Sequence, residues 1–154
     1  MKKTLVLLLA LAFVLALAAC GSNTNTPAQT GGGDTEDIAM QYMTADETLA
    51  VLGTEGYTLV DLRAAADYAE AHIPGSVSIP MDEAVNGDTA AGETAMKAGT
   101  EGLNDTLILI CYSGRAYAQA GTNALSAIGY NMGKVYTLEG GFNNWKEVNP
   151  DAID

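Results

Sequence analysis

Between residues 38 and 148 the chain alternates short apolar runs with stretches whose apolar residues recur every three or four positions. The first pattern predicts strands and the second helices. "IAMQYM" at 38–43 predicts a first strand. "TADETLAVLG" at 44–53 predicts a helix, with Thr44 as N-cap, Glu47 completing a capping box and Gly53 at the stop. "YTLVDL" at 57–62 and "SVSI" at 76–79 predict strands, separated by a short helix at 64–71. "TLILIC" at 106–111 is almost continuously apolar, as a strand covered on both faces should be. A helix at 116–129, a fifth strand at 134–138 and a last helix at 141–148 complete the pattern. The stretch 82–105 holds four glycines and predicts only short helical turns. Strand alternating with helix predicts an α/β domain with a mainly parallel five-stranded sheet and helices on both faces.

The pattern breaks down before residue 38. Residues 21–37, "GSNTNTPAQTGGGDTED", carry almost no large apolar side chain and predict a flexible tether. Ahead of them a positive "MKK" leads into an apolar run from Thr4 to Ala19, which ends in small residues before Cys20. That order predicts a secretory signal. The run of 16 residues is shorter than the roughly 20 a spanning helix needs. "LAAC" at 17–20 resembles the lipobox of bacterial lipoproteins. The resemblance implies cleavage before Cys20, diacylation of its sulfur and usually acylation of the new amino terminus. The expected organisation is therefore a signal at 1–19, lipidated Cys20 and tether at 20–37, and a folded domain at 38–150. The expected location is the extracytoplasmic side of a bacterial membrane, held by the lipid anchor.

Charge narrows the partners. The chain has 7 basic and 19 acidic residues, a net −12. Loss of Lys2 and Lys3 with the signal leaves five basic residues against 19 acidic, a net −14. Such a surface has no footprint for nucleic acid and is repelled by anionic lipid. Membrane attachment then falls to acyl chains.

With Cys20 committed to lipid, Cys111 has no intramolecular disulfide partner. On position alone it is either a small buried hydrophobe or a reactive thiol. It closes the most apolar strand, and sites in open α/β sheets form at the carboxyl ends of strands. The next helix begins within a few residues, so "CYSGRA" curls over a helix N-terminus, where N–H groups and the helix dipole favour a thiolate. Arg115 adds positive charge to the same loop, and Gly114 permits a tight turn. The result is one sulfur among N–H donors, suited to an anionic or persulfidic ligand.

Three motifs in order give the domain a likeness. "TLVDLRAAADYAEAHIPGSVSIP" at 58–80 carries Asp61, Arg63 and "HIPG"; "LILICYSGRAYAQA" follows at 107–120; "GYNMGKVYTLEGGFNNW" closes at 129–145. Together these resemble the single-domain rhodaneses over nearly the whole domain. The resemblance implies a sulfurtransferase in which Cys111 takes sulfane sulfur from a donor such as thiosulfate or a persulfide. The sulfur then passes to a thiophilic acceptor, such as a thiol. It implies that the amides of Tyr112, Ser113, Gly114, Arg115 and Ala116 hold the persulfide. Ser113 adds a hydroxyl donor, Arg115 meets the anion, and no metal or organic cofactor is needed. The family's loop commonly ends in Arg five positions after the cysteine; here that position is Ala116 and the Arg comes one earlier. A related cysteine phosphatase would need Arg where Tyr117 stands.

Asp61 and Arg63 are expected to pair and brace the loop, and Tyr112 to line its mouth. His72 is expected in a turn with a structural role, and Phe142 and Trp145 in the core under the last helix. Two other readings remain: a catalytically silent rhodanese-like binding module, motivated by Ala116, and a thiol redox sensor at Cys111. For the anchor, labelled palmitate is expected to enter the full chain expressed in a bacterium and not its Cys20→Ser variant.

Overall fold

In the computed structural model, residues 36–154 are described. The signal at 1–19, Cys20 and all but the last two residues of the 20–37 tether lie outside them. The elements run β1 (Tyr42–Met43), α1 (Ala45–Val51), β2 (Tyr57–Asp61), α2 (Ala65–Glu70), β3 (Val77–Ser78), α3 (Asp82–Val85), α4 (Thr89–Gly99), β4 (Thr106–Ile110), α5 (Ala116–Ala127), β5 (Val135–Leu138) and α6 (Gly141–Val148). The five strands form one sheet in the order β1-β5-β4-β2-β3, and every pairing is parallel.

β4 is the centre of that sheet. It pairs with β2 from Tyr57↔Thr106 to Asp61↔Ile110, and with β5 through Leu107↔Val135 and Leu109↔Thr137. Its side chains alternate between two cores. Leu107, Leu109 and Cys111 join Met96, Ala118 and Leu125 on the face covered by α4 and α5. Ile108 and Ile110 join Ala45, Ile73, Phe142 and Trp145 on the face covered by α1 and α6. All five residues from Leu107 to Cys111 are at most 2% exposed, which is why this strand lacks a polar alternation.

Two stretches differ from their expected form. The first strand pairs only over Tyr42 and Met43, not from residue 38. Upstream, the backbone bonds side chains of α5 instead: Ile38 N–H donates to Asn123 Oδ1 at 3.0 Å, and Gln119 Nε2 donates to the Ile38 carbonyl at 2.8 Å. The stretch 82–105 contains an 11-residue helix, α4, rather than only short turns. Two of its four glycines, Gly87 and Gly102, do turn the chain, with φ of 109° and 78°. Gly92 and Gly99 lie within α4 and serve close packing. A Cβ on Gly92 would sit 2.7 Å from the Ala84 Cβ, and one on Gly99 would overlap Ile79. Contact with neighbouring side chains outweighs the modest helix cost of glycine.

Contacts also reach past residues 38 and 150. Asn123 Nδ2 donates to Asp37 Oδ1 at 2.9 Å. At the other end Trp145 Nε1 donates to the Ala152 carbonyl at 2.8 Å, and Asp154 exchanges backbone bonds with His72.

Thr44 and Glu47 form the reciprocal cap of α1. The Glu47 N–H donates to Thr44 Oγ1 at 3.2 Å, and the Thr44 N–H donates to Glu47 Oε2 at 2.9 Å. The Thr44 backbone N–H, with its hydroxyl, holds the Glu47 carboxyl below the usual carboxylate range. Thr44→Ala is expected to cost about 1 kcal/mol in urea denaturation. The Glu47 contribution is present above its unfolded-state pKa and is lost as pH falls through the lower folded value. The stability gap between wild type and Glu47→Gln should therefore close on acidification.

Candidate active site

Cys111 follows β4 directly, and the chain from Tyr112 to Arg115 turns into α5. Gly114 takes φ +70° in that turn, and its N–H donates to Cys111 Sγ at 3.2 Å. The turn is held from the other side by the start of α6. Phe142 N–H donates to the Cys111 carbonyl at 2.7 Å, and Asn143 N–H donates to the Tyr112 carbonyl at 3.1 Å. These are free N–H groups of a helix's first turn, which need acceptors in any case.

That contact requires glycine. Gly141 takes φ +63°, and a Cβ there would collide with the Cys111 carbonyl and lie 2.7 Å from Ser113 N and 2.8 Å from Gly114 N. Gly114 is the counterpart across the contact, since a Cβ on it would sit 2.9 Å from the Leu138 carbonyl. Two backbones therefore touch with no side chain between them.

Beneath the loop lies the one salt bridge among the described residues. Asp61 is fully buried and Arg63 is 4% exposed. Asp61 Oδ1 accepts from the Arg63 backbone N–H and from Nε, each at 3.0 Å, and Oδ2 accepts from an Arg63 terminal nitrogen at 2.7 Å. The same nitrogen donates to the Ala71 carbonyl at 2.7 Å. The guanidinium lies 3.7 Å from the centre of the Phe142 ring. Phe142 thus joins the buried ion pair to the backbone bond on Cys111.

The residues expected at the site separate by exposure. Cys111 is 2% exposed. Gly114 is buried, Tyr112 half-buried, and Ser113, Arg115 and Ala116 are exposed. Of the five loop amides expected around the sulfur, that of Gly114 donates to it. Arg115 caps α5 through its backbone, its carbonyl accepting from Gln119 N–H at 2.8 Å, while its side chain forms no ion pair among the described residues. His72 is occupied locally: its ring stacks on Tyr68 at 4.1 Å, and Nδ1 lies 3.0 Å from the Tyr68 carbonyl.

Asp67, Asp82, Tyr117 and Gly141 escape sequence reasoning, and the first three gather around Tyr112. The Tyr112 hydroxyl donates to Asp67 Oδ2 and accepts the Ala64 N–H at 3.2 Å. Its ring meets Tyr117 edge-on, with centroids 5.2 Å apart. The Tyr117 hydroxyl in turn donates to Asp82 Oδ1 at 3.0 Å. Burial, then the bond to Asp82, pushes the Tyr117 phenol up to about 12. Burial and Asp67 raise Tyr112 in the same direction. Both hydroxyls therefore stay protonated and donate at neutral pH. Asp67 and Asp82 reach this row from 45 and 35 residues away along the chain, so no local pattern marks them. Gly141 had one local signal, its place in the "GG" pair ahead of an amphipathic helix.

A model of the rhodanese-like domain matches residues 44–148. Among curated proteins, the thiosulfate sulfurtransferase GlpE of Pseudomonas savastanoi pv. phaseolicola is 30% identical over 105 residues, covering 68% of this chain and 87% of that protein. The thiosulfate sulfurtransferase GlpE of Pseudomonas paraeruginosa is 32% identical over 106 residues, covering 69% and 84%. Among solved structures, the BH2092 protein from Bacillus halodurans superposes with a TM-score of 0.56 at 24% identity, covering 71% of this chain and 73% of that one.

Because a methyl group at residue 141 would press on three backbone atoms of the loop, Gly141→Ala is expected to lower stability by at least ~2 kcal/mol. Urea denaturation measures it. Glu147→Ala, on the exposed side of α6, is expected to stay within about 0.5 kcal/mol of wild type.

Proposed function

The chain belongs to the rhodanese-like domain family, and from that premise we propose that it is a sulfurtransferase working through a Cys111 persulfide. The observation that carries this reading is the Gly114 N–H directed at Cys111 Sγ at the carboxyl end of the central strand. An amide aimed at sulfur supplies a hydrogen-bond donor to a thiolate or a persulfide, and the thiolate is the nucleophile. The relatives named as thiosulfate sulfurtransferases support the same class of reaction.

In the proposed first step the Cys111 thiolate attacks the outer sulfur of the donor. A new S–S bond forms to that sulfur and the donor's own S–S bond breaks. The bonding pair leaves with sulfite when the donor is thiosulfate, or with a thiolate when it is an organic persulfide. In the second step an acceptor nucleophile takes the outer sulfur and Cys111 leaves as thiolate. Each transfer is a displacement at sulfur with no net oxidation, so Cys111 itself needs no added oxidant or reductant.

The chain's own residues take separate parts. The Gly114 amide stabilises negative charge on Cys111 in both thiolate and persulfide forms. Ser113 and Arg115, exposed on the loop, meet the donor, with Arg115 as the cation for an anionic group. The remaining amides of residues 112–116 complete the cradle for the outer sulfur. Asp61 and Arg63 are positioning residues: they hold Phe142, and Phe142 holds the Cys111 carbonyl. A lipid anchor on Cys20 would present this domain on the outer side of a bacterial membrane, where small sulfur donors and thiol acceptors have access.

The binding-module reading draws on two observations, Ala116 in the place of the family's usual Arg and the 2% exposure of Cys111. Turnover separates the two. With thiosulfate and cyanide, the wild-type domain is expected to form thiocyanate and to gain about 32 Da on Cys111, one sulfur atom. Cys111→Ser is expected to lose both. Arg115→Ala is expected to raise KM for thiosulfate about tenfold with a smaller effect on kcat. Absence of both adduct and thiocyanate in wild type, with thiosulfate and with an organic persulfide as donors, would assign the silent module.

A further inference from the structure

The row Asp67, Tyr112, Tyr117, Asp82 borders the loop, and its charge is uncompensated. Tyr112 adjoins Cys111 in the chain and Tyr117 stands in the first turn of α5, so the two edge-on rings flank the loop's exit. Each ring ends on a half-buried carboxylate. The one salt bridge among the described residues joins Asp61 to Arg63, so neither Asp67 nor Asp82 has a cation partner there. Arg115 is the loop's single cation. The rim thus carries two carboxylates against one guanidinium. The field is shared: the Tyr117 phenol is raised by Asp67 as well as Asp82, and the Tyr112 phenol by Asp82 as well as Asp67.

We propose that Asp67 and Asp82, tied to the loop by Tyr112 and Tyr117, select the charge class of the sulfur donor. They disfavour a small dianion such as thiosulfate and favour an organic persulfide that presents its outer sulfur with at most one negative charge. This rests on the reading of Cys111 as a sulfur acceptor. The favoured step is the displacement of R–S⁻ from R–S–SH by the Cys111 thiolate. The new bond forms to the outer sulfur, the pair leaves on R–S⁻, and the proton stays on the transferred sulfur, giving Cys111–S–SH.

The physical basis is the product of charges. Repulsion from a fixed carboxylate is twice as large for a dianion as for a monoanion at the same distance. Half-burial weakens solvent screening of the carboxylates, while the general negative surface acts at longer range and is damped by salt within about 10 Å at 0.1 M. The rim is therefore a local filter that the net charge alone does not describe. The tyrosines matter because they hold the carboxylates in place: an untethered Asp side chain would swing towards water.

The experiment compares thiosulfate with cysteine persulfide as donors to the soluble domain, reading kcat/KM and the mass of Cys111. Asp67→Asn and Asp82→Asn keep an oxygen to accept the phenol bond and remove the charge. Each is expected to raise kcat/KM for thiosulfate about three- to sixfold, and that for cysteine persulfide about twofold or less. In the wild type, the preference for cysteine persulfide over thiosulfate in kcat/KM is expected to persist in added inert salt, which damps the general negative surface and leaves the half-buried rim in force. This second measurement needs no variant and so does not depend on a variant folding. Equal changes for both donors in the variants, no change for either, or a wild-type donor preference that disappears in salt would overturn the filter while leaving the sulfurtransferase intact. A Cys111 that gains no sulfur from either donor would overturn the sulfurtransferase reading itself, and the filter with it.

Discussion

Two backbone hydrogen bonds, from Phe142 N–H to the Cys111 carbonyl and from Asn143 N–H to the Tyr112 carbonyl, set the shape of the loop on which the site depends. They form only because Gly141 has no side chain to hold α6 away. With its carbonyls fixed outward onto α6, the loop turns an amide inward, and the Gly114 N–H falls on Cys111 Sγ. The buried Asp61–Arg63 pair secures this arrangement, because the guanidinium lies over the Phe142 ring, 3.7 Å from its centre. A buried ion pair is weak evidence for stability. Here its geometric consequence is plain: it fixes the residue that bonds the cysteine backbone.

The sheet explains why this assembly sits where it does. β4 is paired on both sides and covered on both faces, so its end is the most constrained point from which a loop can leave. The chain runs from β2 to β3 on one side of it and from β4 to β5 on the other, which opens the crevice where α/β sheets hold their sites. A nucleophile at such a point is held by the fold rather than by its own rotamer freedom.

The electrostatics pull in opposite directions. Helix N-termini and a loop arginine suit an anion, whereas a chain of net −12 repels one at long range. The structure adds a third distance scale between these. Two carboxylates each bond a tyrosine at the loop, an arrangement too local to appear in the net charge.

Much of the fold was legible in the residues. The strands near 57–62, 106–111 and 134–138 and the helices near 116–129 and 141–148 occupy the positions that periodicity assigns them, because each signal is contained within its own segment. The capping box at Thr44 is equally local. The "CYSGRA" loop was visible as a chemical candidate for the same reason: cysteine, glycine and arginine are contiguous. What only the tertiary structure decided was every contact between distant segments. Gly92 and Gly99 read as breakers until Ala84 and Ile79 are seen against them. Residue 38 reads as the start of a strand until α5 offers Asn123 and Gln119 to its backbone. Asp67 and Asp82 carried no signal, since a surface aspartate and one tied to an active loop look alike in a chain. Periodicity and capping act over a turn of helix or a strand's length, whereas packing joins residues whose separation along the chain bears no relation to their distance in space.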